Sequence, residues 1–278
     1  MRRLLSLLRH GSAPARSGGG AAPEARVAFL VAGVQKGGTT TLARHLGDHP
    51  AIGLARRKEV HFFDDEKRDW SGPAAAAYHE AFRFQRGRLY GECTPAYLFW
   101  DPAHERIRAY NPAMRFVLLF RDPVDRAFSQ WSMEFARGNE KRTFAEAIRE
   151  GRRRVKPDRW NNARRVFSYV ERGLYGRQVA RLLERFPREQ VLCLPSERLF
   201  ATPDAALADV ARFLGLPAFP EAAREIHAKQ APRVDYPSKL TRADAAHLVD
   251  VFGDDVALFA RLTGFDTSRW LAVEKYPE

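Results

Sequence analysis

Val31-Ala32-Gly33-Val34-Gln35-Lys36-Gly37-Gly38-Thr39-Thr40 is the stretch on which the reading of this chain turns. Before it, Val27–Ala32 is a short run without a polar side chain, which fits a strand buried on both faces. After it, Thr39–Leu46 carries Leu42 and Leu46 at helical spacing, and His49-Pro50 closes the helix. Strand, glycine loop and helix in that order aim backbone N–H groups and the positive helix end at one point, which makes an anion site. Gly37 and Gly38 let the backbone approach the anion, Lys36 adds a mobile charge, and Thr39 and Thr40 add hydroxyl donors. The spacing Gly33-x4-Gly38 mimics a P-loop, but that pattern ends in Gly-Lys-Ser/Thr, and here the lysine stands two residues before Gly38. The loop therefore reads as a holder of a phosphate-like group, against the plainer reading of an ordinary glycine-rich turn. No acidic residue stands out at the end of an apolar strand to hold Mg²⁺, so no metal is expected.

Working outward, Arg115–Phe120 is a second buried strand and Pro123 opens a helix over Val124–Phe135. Arg121 falls at the strand's carboxyl end, where open α/β sheets bind ligands. Ser129 lies about two helical turns further on. A guanidinium with a hydroxyl suits a phosphate monoester; the alternative is that Arg121 pairs structurally with Asp122 or Asp125. Lys58-Glu59-Val60-His61-Phe62-Phe63-Asp64 sets a carboxylate and an imidazole two residues apart. In an extended segment Glu59 and His61 face one side and Val60 and Phe62 the other. A pocket walled by Phe62 and Phe63 would raise the Glu59 pKa and make it a useful base; the alternative is a surface glutamate beside a satisfied histidine.

The remaining pattern alternates strands (Leu89–Glu92, Gln190–Leu194) with helices (Trp70–Phe84, Pro102–Tyr110, Pro203–Leu214, Ala243–Leu262). That predicts an α/β fold, a central parallel sheet flanked by helices. At 278 residues one large domain is expected, over 26–278, after a Gly/Ala/Pro/Ser-rich flexible leader at 1–25. Hydrophobic residues at 45% and aromatics at 12% supply a sizeable core and exclude a disordered polyanion binder. The leucines of Met1–His10 are too few to span a membrane, and Cys93 and Cys193 form no disulfide framework. A cytoplasmic protein is expected. The net charge of +12 is concentrated: residues 1–26 carry +4, and residues 137–165, with Arg152-Arg153-Arg154 as their densest point, carry +7. The second stretch reads either as a solvated loop or as a flap over an acceptor cleft, with Trp160 suited to a sugar or aromatic acceptor. No nucleic-acid partner is expected, because the charge is not spread over the fold.

Together GVQKGGTTTL (33–42), KEVHFFD (58–64), ECTPAYLF (92–99) and FRDPVDRAFSQW (120–131) resemble the sulfotransferases that use 3′-phosphoadenosine 5′-phosphosulfate (PAPS), in particular the heparan sulfate 3-O-sulfotransferase branch and its bacterial relatives. The likeness continues through 173–187 and 248–270. It implies a P-loop-like sulfotransferase fold with PAPS as donor, Lys36, Gly37, Gly38, Thr39 and Thr40 on the 5′-phosphosulfate, and Arg121 and Ser129 on the 3′-phosphate. It implies Glu59 as the base, Lys36 stabilising the leaving oxygen, and His61 and Asp64 orienting the acceptor. Arg233, Lys229 or Lys239 would stand in for a late nucleotide loop that is not recognisable. The heparan branch carries Arg where this chain has Gln35 and Lys where it has Cys93, a position expected to touch the acceptor. Both changes remove a cation that would face a polyanionic sugar, so a carbohydrate, lipid or secondary-metabolite hydroxyl is the expected acceptor. The competing classes are a small-molecule kinase with an atypical P-loop and a polyanion-binding module.

Overall fold

A computed structural model describes residues 26–72, 75–220 and 236–278. The expected leader at 1–25 and Arg233 and Lys229 lie outside the described residues. Five parallel strands form one sheet: β1 (Val27–Gly33), β2 (Ile52–Leu54), β3 (Leu89–Cys93), β4 (Arg115–Phe120) and β5 (Val191–Pro195), in the order β2-β3-β1-β4-β5. The chain leaves β1 for the β2 edge, returns to pair β3 with β1, and then crosses to β4 on the other flank. The order thus reverses beside the carboxyl end of β1, where a crevice opens between the loops that leave β1 and β4.

The uninterrupted apolar strands follow from two covered faces. Phe29, Val31, Val117, Leu119 and Leu194 point to one layer, against Leu42 and Leu46 of α1 (Thr39–Gly47). Leu199 of α8 (Ser196–Ala201) and Leu207, Val210 and Leu214 of α9 (Pro203–Leu214) complete that layer. Leu30, Phe116, Leu118 and Phe120 point the other way, to Ile107 of α3 (Asp101–Tyr110) and Trp131 of α4 (Pro123–Ala136). Val179 of α7 (Tyr175–Leu183) and Phe252 and Phe259 of α10 (Arg242–Thr263) lie on that face as well. The short helices α2 (Ala75–His79), α5 (Phe144–Ile148) and α6 (Asn162–Phe167) fill the connections.

The predicted strands and long helices match these elements to within one or two residues. The helix predicted over Trp70–Phe84 reduces to α2 among the described residues. β2 has three residues centred on Gly53, too short to show a period.

The basic stretch is not a solvated loop. Thr143 and Glu146 form a capping box on α5. Arg149 pairs with Asp244 at 2.7 Å, Arg152 with Glu171 at 3.0 Å, and Arg154 with the buried Glu140 at 2.6 Å. Arg164 lies over the rings of Trp160 and Phe99 at 4.1 and 4.9 Å. Among the described residues no helix is long and apolar enough to cross a membrane.

Candidate active site

The loop after β1 packs directly on the end of β4. Val34 N–H donates to Leu119 O at 2.9 Å and Gly37 N–H to Val34 O at 2.9 Å. A Cβ on Gly37 would stand 2.5 Å from Leu119 O, so only glycine fits. Gly38 has φ 92° as the N-cap of α1; no side chain caps this helix start and no acidic residue occupies its first turn. The amides of Thr39 and Thr40 have no intrahelical acceptor, whereas Thr41 N–H already donates to Gly38 O at 3.0 Å, and the two open amides with the helix dipole favour an anion. Ser196, at the end of β5, donates its Oγ–H to Gly37 O at 2.5 Å and fixes the loop from the third side.

A cleft of about 610 Å³ opens over this loop. Lys36 through Thr41, Lys58, Arg121, Met133 and Phe200 line it. Lys36 Nζ reaches Met133 Sδ at 3.7 Å, and Arg121 Nη1 donates to Lys36 O at 3.3 Å. Arg121 is not tied up by its acidic neighbours. Asp122 accepts from Val124 N–H, Leu271 N–H and Lys275 Nζ, and Asp125 from Lys275 Nζ and Tyr276 Oη. Ser129 is half-buried on α4, one turn before Met133, and is not among the lining residues.

Glu59 stands where this cleft meets a second cavity of about 420 Å³; Gln35, Glu59, Pro95 and Arg137 line both. The second cavity adds His61, Glu134, Asn139, Asn162, Arg165 and Arg172. Segment 58–64 is not the extended strand that the alternation suggested: Glu59 and His61 have φ of 60° and 55°. Two left-handed residues still put both side chains on one side and bury Val60, Phe62 and Phe63. Phe62 and Phe63 do not wall the Glu59 pocket. They line a separate apolar cavity of about 410 Å³ with Trp70 and Tyr110.

The charges around Glu59 reverse the expected shift. A hydrogen bond from His61 is the largest influence, burial opposes it, and Lys58 adds to it, so the carboxyl falls to about 2. Lys58 Nζ lies 2.5 Å from Glu59 Oε1, and His61 Nε2 lies 3.5 Å from Oε2. His61 Nδ1 lies 2.9 Å from Oδ2 of the fully buried Asp64, which Arg165 Nη1 holds at 2.5 Å. Burial alone would depress His61, but its bonds to Asp64 and Glu59 prevail and raise it to about 9. His61 is therefore a fixed cation near neutral pH, and Asp64 orients it from below.

The ECTPAYLF segment supports this loop from beneath. Buried Glu92 accepts hydroxyl hydrogen bonds from Tyr78, Thr94 and Tyr97, and Tyr97 Oη accepts from Phe62 N–H at 3.0 Å. Cys93 O takes the Glu59 N–H at 3.0 Å. The Cys93 thiol is buried, pushed up to about 12 by desolvation, and lines a neighbouring cavity of about 280 Å³ with Leu54 and Arg44. Trp160 faces yet another cavity, of about 660 Å³, between the 149–164 segment and α7, and not the Glu59 junction. The expected anchors Lys36, Gly37, Gly38, Thr39, Thr40, Arg121 and Glu59 converge on one cleft, and His61 adjoins it. Lys239 is exposed and does not line that cleft.

Sequence reasoning passes over Lys58, Arg137, Met133, Ser196 and Phe200. Phe200 is 45% exposed and the only exposed large hydrophobic side chain among the described residues. A signal for it exists: it follows β5, and loops at the carboxyl ends of parallel strands carry ligand contacts.

A family model described as "Sulfotransferase domain" matches residues 27–231. Human heparan sulfate glucosamine 3-O-sulfotransferase 3B1 is 30% identical over 191 residues, 67% of this chain and 45% of that protein. Human heparan sulfate glucosamine 3-O-sulfotransferase 6 is 32% identical over 188 residues, 67% of this chain and 52% of that protein. The chain thus spans about half the length of these curated relatives. A crystal structure of a sulfotransferase from Alicyclobacillus acidocaldarius superimposes with a TM-score of 0.70 at 29% identity, over 88% of this chain and 99% of that one.

Proposed function

From the premise that the chain belongs to the sulfotransferase domain family, we propose that it transfers a sulfuryl group from PAPS to an acceptor hydroxyl, with Glu59 as base. The observation that carries this reading is the junction at Glu59 between a cleft built for an anion and a second polar cavity. Two substrates brought to one carboxylate from opposite sides is what an in-line displacement needs. The residues fit the donor: the uncapped α1 start, Lys36 and Thr39–Thr41 suit the phosphosulfate, and Arg121 suits a second phosphate of the same ligand.

In the proposed step the acceptor oxygen forms a bond to sulfur as the bond from sulfur to the 5′-phosphate oxygen breaks. The hydroxyl proton passes to Glu59, and the electron pair of the broken bond goes to adenosine 3′,5′-bisphosphate. Lys36 stabilises the charge that develops on that oxygen. His61, cationic and held by Asp64, orients the acceptor at the mouth of the second cavity. The acceptor is a carbohydrate, lipid or secondary-metabolite hydroxyl; the curated relatives make a glucosamine unit the first carbohydrate to try. Calorimetry tests the donor: adenosine 3′,5′-bisphosphate is expected to bind without Mg²⁺, and a preference for Mg²⁺·ATP would indicate a kinase instead. Transfer from labelled PAPS to a mixed acceptor panel tests the reaction. Glu59→Gln is expected to lower it about 10²–10⁴-fold with nucleotide binding retained; full activity in that variant would remove Glu59 as the base.

A further inference from the structure

A carboxylate held between two cations is a poor proton acceptor, and Glu59 is held by Lys58 at 2.5 Å and His61 at 3.5 Å. One of the two has to let go before Glu59 can serve as the base. His61 cannot easily do so, because Asp64, buried and itself gripped by Arg165, fixes its other nitrogen. Lys58 can: it is a flexible chain, partly exposed, and Glu59 is the one hydrogen-bonding or ion-pairing partner its ammonium has among the described residues. It also lines the cleft over the phosphate loop, together with Lys36 and Thr39–Thr41. Its ammonium therefore has two anions within its compass: Glu59, and whatever anion the loop holds.

We propose that Lys58 is a donor-operated latch on the base: it neutralises Glu59 in the pairing seen here and transfers its ammonium to the phosphosulfate when the donor binds, releasing Glu59 to take the acceptor proton. This rests on the reading of the cleft as a PAPS site. Lys58 is in this sense both a donor-binding residue and a positioning residue for Glu59, and neither the phosphate-loop pattern nor the base assignment gives it that double role. The other charged groups do not compete for it. Lys36, Arg121 and Arg137 repel it across the donor cleft, and Glu134 is occupied by Arg137 and Asn139 at 3.2 and 2.7 Å. Glu197 is the one further carboxylate lining the cleft, and it has no contact with Lys58 among the described residues. Arg165 and Arg172 sit behind His61 on the acceptor side. The consequence is a binding order, with proton abstraction confined to enzyme already loaded with donor.

Linkage makes the latch measurable without an acceptor, because Glu59 and PAPS compete for one ammonium. Calorimetric PAPS affinity is compared in the unaltered protein, Glu59→Gln, Lys58→Met and the double variant. Glu59→Gln frees Lys58 and is expected to tighten PAPS about tenfold; in the Lys58→Met background the same change is expected to tighten it less than about threefold, the residue of general charge removal. Lys58→Arg is expected to restore the larger effect. Equal tightening in both backgrounds, or none in either, overturns the latch while leaving the donor reading intact. Absence of PAPS binding in the unaltered protein overturns the donor reading, and the latch with it. Both positions are partly exposed, and Lys58→Gln repeats the cycle should Lys58→Met fold poorly.

Discussion

Lys36 and Arg121 line an open cleft, one beside a thioether and the other on a main-chain carbonyl, whereas Arg149, Arg152, Arg154 and Arg165 each face a carboxylate. In the sequence the second group is far the more conspicuous, with a local charge of +7. In the fold those arginines pin the 137–165 segment to α10, to residue 171 and to the loop carrying Asp64. Charge counted along a chain is thus a poor guide to charge offered to a ligand. What counts is which cations the fold aims into a cleft, and Lys36 and Arg121 sit at the carboxyl ends of β1 and β4, where the strand order reverses.

The largest effect that tests this contrast comes from exchanging a cation on each side of it. Lys36→Ala is expected to lower sulfuryl transfer about 10²–10³-fold, the usual result of removing one donor to a developing anion, with an unchanged melting temperature. Arg154→Met is expected to do the reverse. It removes a charge-assisted pair to the buried Glu140 and costs about 2 kcal/mol in denaturant unfolding, with the same affinity for adenosine 3′,5′-bisphosphate. If Arg154→Met instead weakens the nucleotide and spares stability, the two regions are not divided as described.

Legibility divides along the same line. The donor side can be read because its chemistry is local: Val27–Gly33 and Arg115–Phe120 announce buried strands, and a strand followed at once by glycines and a helix is an anion site within ten residues of chain. The acceptor side cannot, because Glu59, Glu134, Arg165 and Arg172 are gathered from four separate segments by packing alone. Glu59 shows the cost. Phe62 and Phe63 just after it suggest an apolar pocket and a raised pKa, but Val60 and both phenylalanines turn into the core and leave Lys58 and His61 against the carboxylate. Two residues with positive φ decide that, and nothing in Lys-Glu-Val-His signals them. α7 is hidden for a milder reason: Tyr175, Val179 and Leu182 do keep helical spacing, but glycines at 173 and 176 break the run.

The smallest expected effect concerns Arg165 on Asp64 behind His61, where the basic stretch, which also lends Arg137 to the cleft, braces the site from behind. The His61 pKa is raised from 6.5 to about 9 in the folded protein, so the folded state binds its proton more tightly than the unfolded chain does. The stability this contributes is fully present below pH 6.5 and is lost as pH rises through about 9. Because His61 is 42% exposed, solvent screens the pair and its worth lies within the ~0–1 kcal/mol of exposed ion pairs. That corresponds to a fall in melting temperature of about 1–3 °C between about pH 6.5 and about pH 9.5. His61→Gln is expected to flatten this slope with little change at the alkaline end, where the imidazole is already neutral. A slope that survives in His61→Gln would mean that another group titrates in this window and that His61 does not set it, because the Asp64 carboxylate and the Arg165 guanidinium keep their charges throughout.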